Sequence, residues 1–268
     1  MHLKQENNFE LLSKSVLKVN PQFSSTLGNG LDVLQCFMEG SSVLGNKDIS
    51  KLLGLSKPTI SRLLFTLVAL GFLQRNNETG KYSLGASVLT LSYPLLRQLT
   101  IRELASQDMV ELAKFAKGPV SIGIRDRLQV VYIETTYNRY RNNAHPDIGS
   151  VRPLLRTAIG KSLLYKHTKE ELGLILERLK DKEIEEWQKF KDKLYISFED
   201  INNLGFCTSF GDWRQHLYGV AVPFKNKING YYMAMNVTVS SHSSNTDFVI
   251  KEIGPRLIEV VENIESKL

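Results

Sequence analysis

The stretch "LGLSKPTISRLLFTL" at residues 53–67 sets a glycine and a Ser-Lys-Pro run between two segments of apolar spacing. Gly54 supplies a residue that enters left-handed backbone at little cost, as a helix end often requires. Ser56 is a good N-cap, and Pro58 is tolerated in a first turn. The pattern predicts one helix stopping at Gly54 and another running from Ser56 to about Leu70. At about 100° per residue, Ile60, Leu63, Leu64 and Leu67 fall on one side of the second helix. Pro58, Thr59, Arg62 and Thr66 fall opposite. A helical corner whose polar face meets water fits this pattern, and so does a device for entering a DNA groove.

The flanking sequence separates these readings. Upstream, Leu27, Leu31, Leu34 and Met38 recur at steps of three and four, and Ile49, Leu52 and Leu53 form an i, i+3, i+4 set. Downstream, Gly71 ends the helix, and "FLQRNNETGKYSL" reads as two short strands around a turn. Three helices and a hairpin in about 60 residues make a winged helix-turn-helix. Residues 40–85 carry six cations (Lys47, Lys51, Lys57, Arg62, Arg75, Lys81) against Asp48 and Glu78, most of a net charge of +6. On a recognition helix, arginine pairs with guanine, and threonine contacts a thymine methyl or a phosphate. Lys57, Pro58, Thr59, Ser61, Arg62 and Thr66 are therefore the candidate DNA-facing set. Lys47 and Lys51 would hold the backbone before it, and Arg75 and Lys81 on the wing.

The chain has 268 residues, 42% hydrophobic and 23% charged, enough for one large or two modest domains. No run approaches the length of a membrane span, and "MHLKQENNFELLSKS" lacks an apolar signal core, so the expected location is the cytoplasm. Residues 1–24 read as an N-terminal arm and 25–85 as the winged domain. A connector helix covers 86–100, its pattern continuing to about 117, with Leu89, Leu95, Leu96, Leu99, Leu104, Met109, Leu112 and Phe115 spaced for burial. From 101 to 268 the texture is strands, then helices, then strands, without regular βαβ repetition. That predicts an α+β domain. "VSIGIRD" and "LQVVYIETTY" pair through a turn at Arg125-Asp126, and "RTAIGKSLLY" starts a helix. Residues 168–193 hold two charged helices, "YGVAVPFKNKINGYYMAMNVTV" is a second hairpin, and an amphipathic helix closes the chain.

"NGLDVLQCF" and "ISKLLGLSKPTISRLLFTLVALGFLQRNNETGKYSLGASVLTL" resemble the N-terminal domain of IclR-type bacterial transcriptional regulators. "VVYIETTY", "DIGSVRPLLRTAIGKSLLY", "LGFCTSFGD" and "GVAVPF" follow in that family's order, extending the resemblance over about residues 27–267. It implies a GAF-like, effector-binding and oligomerising C-terminal domain, and a homodimer or dimer of dimers on double-stranded operator DNA. It places an effector, an organic acid or aromatic compound, near Ala158, Gly160, Ser209, Gly219, Asn236 and Thr238, with Asp212 and Trp213 beside the loop. Two positions depart from the pattern. Some members have an acidic residue where Ser209 stands and a cysteine where Gly219 stands, so donors change and the pocket widens. Asn142, Asn143 and Ala144 are unusual at the lid.

Catalysis finds little support. The histidines (His2, His145, His167, His216, His242) lack metal-ligand spacing, and Cys207, Asp212 and His216 form a triad only on paper. No nucleophile elbow or phosphate-binding glycine loop occurs. No catalytic residue, metal or cofactor is expected. The expected function is a ligand-responsive regulator of a catabolic or metabolic operon, a repressor before an activator. The alternative is a DNA-binding protein whose C-terminal domain only oligomerises.

Overall fold

Gly54 adopts φ 67° and ψ 18°, ending one helix and letting the chain turn into the next. In the computed structural model, which describes residue 17 and residues 19–38, 42–136 and 146–268, the chain divides into two units, the break falling between Gln98 and Leu99.

The N-terminal unit holds α1 (Ser25–Gln35), α2 (Asn46–Leu53), α3 (Lys57–Ala69), the hairpin β1 (Leu73–Arg75) and β2 (Tyr82–Leu84), and α4 (Ala86–Gln98). Helices α2 and α3 meet at 115°, within the helix-turn-helix range of about 90–120°. The Ser56 side chain accepts from the Thr59 N–H at 3.3 Å, which caps α3. Ile60, Leu64 and Leu67 bury with Val33, Phe37, Ile49 and Leu73 in one small core. Leu44 bridges to Tyr82 and adds a third short edge to the wing.

Several positions spaced for burial lie in the open. Leu27, Leu31, Met38 and Leu52 are exposed, as are Leu89 and Leu95 of α4, a helix without a buried residue. Helix α1 instead buries Val33, and the turn after it buries Phe37. Periodicity marks an apolar stripe, but the neighbouring helices decide which side of it they cover.

The C-terminal unit is three-layered. Its sheet contains β3 (Val120–Asp126), β4 (Gln129–Thr135), β5 (Val151–Pro153), β6 (Cys207–Phe210), β7 (Leu217–Pro223) and β8 (Met233–Ser240). All neighbours are antiparallel, in the order β5-β4-β3-β8-β7-β6. One face buries Ile122, Val220, Met235 and Val237 against Met109 and Leu112 of α5 (Ile101–Ala116) and Leu257 of α9 (Gly254–Glu265). The other face presents Val130, Tyr132, Ala221 and Ala234 to α6 (Ala158–Tyr165) and α8 (Ile184–Leu204), with α7 (Lys169–Lys182) packed behind them. A π-helical segment, Val249–Ile253, precedes α9. The β3–β4 turn lies at Arg127-Leu128 rather than Arg125-Asp126, with Arg127 at φ 52°. The second charged helix extends to Leu204, beyond the expected 193.

Candidate functional sites

All ten candidate DNA-facing residues, Lys47, Lys51, Lys57, Pro58, Thr59, Ser61, Arg62, Thr66, Arg75 and Lys81, are exposed. Their hydroxyls are not equally available. The Thr59 hydroxyl is 2.8 Å from Ser56 Oγ, and Thr66 Oγ1 donates to the Arg62 carbonyl at 3.0 Å. Phe65, 76% exposed, adds an apolar ring to α3 that the charge-led reading passed over. On the wing, Asn76 Oδ1 accepts from the N–H groups of Glu78 and Thr79, both at 2.9 Å, and Gly80 takes φ 66°. This local lattice sets the tip between Arg75 and Lys81.

In the C-terminal unit, small residues on the α6 face of the sheet open a cavity of about 260 Å³ with a mostly apolar wall. Register pairs Ser209 with Gly219 and Gly219 with Thr238, and Asn236 lies two residues along the same strand. These four line the cavity with Ala158 and Trp213. Gly160 does not. It faces Leu154, whose carbonyl oxygen would be 2.2 Å from a Cβ placed there. Its role is close backbone approach.

Asp212 is not on the wall either. Its carboxylate is 5% exposed, 3.7 Å from Lys161 Nζ, and hydrogen-bonded to Lys193 and Ser209. Lys161, 2% exposed, also donates to the Thr208 carbonyl at 2.9 Å. Burial pushes its ammonium below the ordinary lysine range, opposed by the neighbouring Cys207 and Asp212. Asp212 thus neutralises a buried cation instead of offering a carboxylate to a ligand. The paper triad dissolves as well. Cys207 is fully buried, its thiol pushed up to about 12 by burial, and it donates to the Ala158 carbonyl, while His216 is exposed. The lid positions Asn142, Asn143 and Ala144, and His2 and His145, lie outside the described residues.

Sequence reading missed Arg152. It lines the cavity from β5, its guanidinium carbon 5.0 Å from the Tyr132 ring centre and 4.8 Å from that of Trp213. Arg214 covers Trp213 at 4.4 Å. Burial lowers the Arg152 guanidinium from its ordinary value, with Tyr132 opposing and Arg214 reinforcing the shift. Lys117 and Arg156 also line the cavity, and Arg156 is paired with Glu186 at 2.7 Å. Among the described lining residues there is no Asp or Glu. The wall is therefore cationic and suits an anion with an apolar body.

Residues 26–77 match the IclR helix-turn-helix domain, and residues 94–266 match the bacterial transcriptional regulator IclR C-terminal domain. The chain belongs to the IclR family. This IclR-family regulator shares 36% identity with an IclR family transcriptional regulator from Brucella abortus, with a TM-score of 0.86 over 97% of each chain. It is 28% identical to the HTH-type transcriptional regulator TsaQ1/TsaQ2 of Comamonas testosteroni, over 91% of this chain and 88% of that one. An IclR homologue from Microbacterium hydrocarbonoxydans, crystallised with 4-hydroxybenzoate, has the same fold at 18% identity and a TM-score of 0.70, covering 91% of this chain and 98% of that one. The chain is a DNA-binding transcription regulator and not an enzyme. Among the described residues no single helix is long and apolar enough to cross a membrane.

Proposed function

We propose that this IclR-family regulator is a cytoplasmic, ligand-responsive repressor of a metabolic operon. It binds a palindromic double-stranded operator as a homodimer or dimer of dimers. The cavity carries the ligand reading: Arg152 stands in an apolar, concave wall without a neighbouring carboxylate among the described residues, so a small organic acid or aromatic acid is the matching effector. The relative solved with 4-hydroxybenzoate supports this class. A relative in Salmonella paratyphi A, the HTH-type transcriptional repressor AllR, supports the sign. The uncovered leucines of α1 and α4 support self-association, because exposed apolar surface favours burial against a second copy. Lys117, the αL cap of α5 at φ 55°, lines the cavity, so a bound anion touches the helix that follows the connector.

On DNA, Arg62 contacts base edges, Phe65 meets a thymine methyl, and Arg75 and Lys81 of the wing hold phosphate. Arg62→Ala is expected to weaken operator binding by about 1–3 kcal/mol and relax base preference at one position, measured by fluorescence anisotropy at fixed salt. Unchanged affinity and preference would remove α3 from the groove. A thermal-shift panel of organic acids tests the sensor: a raised midpoint together with altered operator affinity supports it. A panel without effect would leave a C-terminal unit that only oligomerises.

A further inference from the structure

Two polar groups of opposite need share one wall of the cavity. Arg152 offers a stacked guanidinium, and among the described residues no carboxylate answers it. Asn236, 4% exposed, donates from Nδ2 to Thr238 Oγ1 at 3.0 Å, while its buried Oδ1 has no hydrogen-bond partner among the described residues. A buried acceptor left unmade is costly, so this oxygen calls for a donor entering from the cavity.

The sheet brings the two groups together. Arg152 stands on β5, Tyr132 on β4 and Asn236 on β8, with β3 between the last two. Gly123 of β3 lies opposite Tyr132, where a Cβ would be 2.7 Å from Val130 and 3.4 Å from the Tyr132 ring. The missing side chain lets that ring lie close over β3. Burial raises the Tyr132 phenol, and Arg152 and Asn236 oppose that shift, so the two groups stand beside one residue of the cavity wall. A ligand that answers both carries its own hydroxyl beside its acid group.

We propose that the effector is a 2-hydroxycarboxylate, its carboxylate on Arg152, its hydroxyl donating to Asn236 Oδ1, and its substituent against Ala158, Gly219 and Leu217. The inference rests on the sensor reading and names the ligand class for the same cavity. The opposite polarity of the two groups carries it: a plain acid leaves Asn236 unanswered, and a neutral alcohol leaves Arg152 unanswered.

Matched acids that differ only in the hydroxyl test it. Lactate against propionate and mandelate against phenylacetate are titrated into the full chain by calorimetry, with 4-hydroxybenzoate as the remote-hydroxyl control. At least one 2-hydroxy acid is expected to bind about tenfold tighter than its deoxy partner and than 4-hydroxybenzoate. Asn236→Leu should erase that advantage while retaining the deoxy acid, and Arg152→Met should lose every acid. If acids bind but the 2-hydroxy member has no advantage on the wild-type chain, the inference is overturned and the sensor reading stands; this arm does not depend on how any variant folds. An advantage that survives in folded Asn236→Leu overturns it as well. If no acid binds, the organic-acid sensor reading falls with it.

Discussion

Asp212→Ala is expected to destabilise the C-terminal unit by about 3–5 kcal/mol, because it strands a buried cation. Lys161 would keep only the Thr208 carbonyl, while Lys193, half-exposed, would turn to water. Replacing both partners, as in Lys161→Met with Asp212→Leu, removes the charge along with its counter-charge and should recover most of the loss. Urea unfolding followed by tryptophan fluorescence isolates this unit, since the chain's two tryptophans, Trp187 and Trp213, both lie in it. A loss below about 1 kcal/mol, or a double variant as weak as the single, would show that the pair does not neutralise a costly charge.

The same pair has a pH signature. Burial holds the Lys161 pKa below its ordinary 10.5 in the folded chain. Between that lowered value and 10.5 the unfolded chain binds more protons than the folded one, so this group's contribution to stability rises with pH. Losing Asp212 removes one of the charges that oppose the shift, which widens the window. The deficit of Asp212→Ala should therefore shrink on the alkaline side.

Local chemistry made the corner at residues 53–57 legible: a left-handed glycine, a serine cap and a proline in the first turn each act within a few residues. The buried side of α3 follows from the same short range. Beyond that range the pattern loses its hold. Leu27, Leu31 and Met38 have helical spacing, yet the core closes over Val33 of α1 and Phe37 of the turn after it instead. Arg152 lies in a stretch that carries the family resemblance, but nothing local singles it out in its three-residue strand, and it becomes a cavity residue because β5 lies beside β4. Asp212 and Trp213 are adjacent in sequence but part ways, one to a buried lysine and the other to the cavity wall. Phe65 carries no charge to mark it as outward, and only its 76% exposure on α3 does so.

Two glycines that the family resemblance treats alike should behave oppositely when a single methyl group is added. At Gly160 a Cβ would fall 2.2 Å from the Leu154 carbonyl oxygen and 2.5 Å from its Cα. Backbone on both sides cannot yield as a flexible side chain would. Gly160→Ala is thus expected to cost about 3 kcal/mol or more, at or beyond the upper end of ordinary overpacking. At Gly219 the nearest neighbours of a Cβ are Ala158 Cβ at 3.7 Å and the Val237 carbonyl oxygen at 3.9 Å, both ordinary contacts. Gly219→Ala should leave stability unchanged or raise it by up to about 1 kcal/mol by restricting the unfolded chain. Its methyl group enters the cavity, so organic-acid binding should weaken while operator binding is preserved. Urea midpoints of both variants, with acid titrations of Gly219→Ala, separate a packing glycine from one that leaves room. Equal stability of the two would refute the close approach at Leu154. A lost effector response in the Gly160 variant would, by this geometry, report damage to α6 packing, and only the Gly219 variant tests the space a ligand occupies.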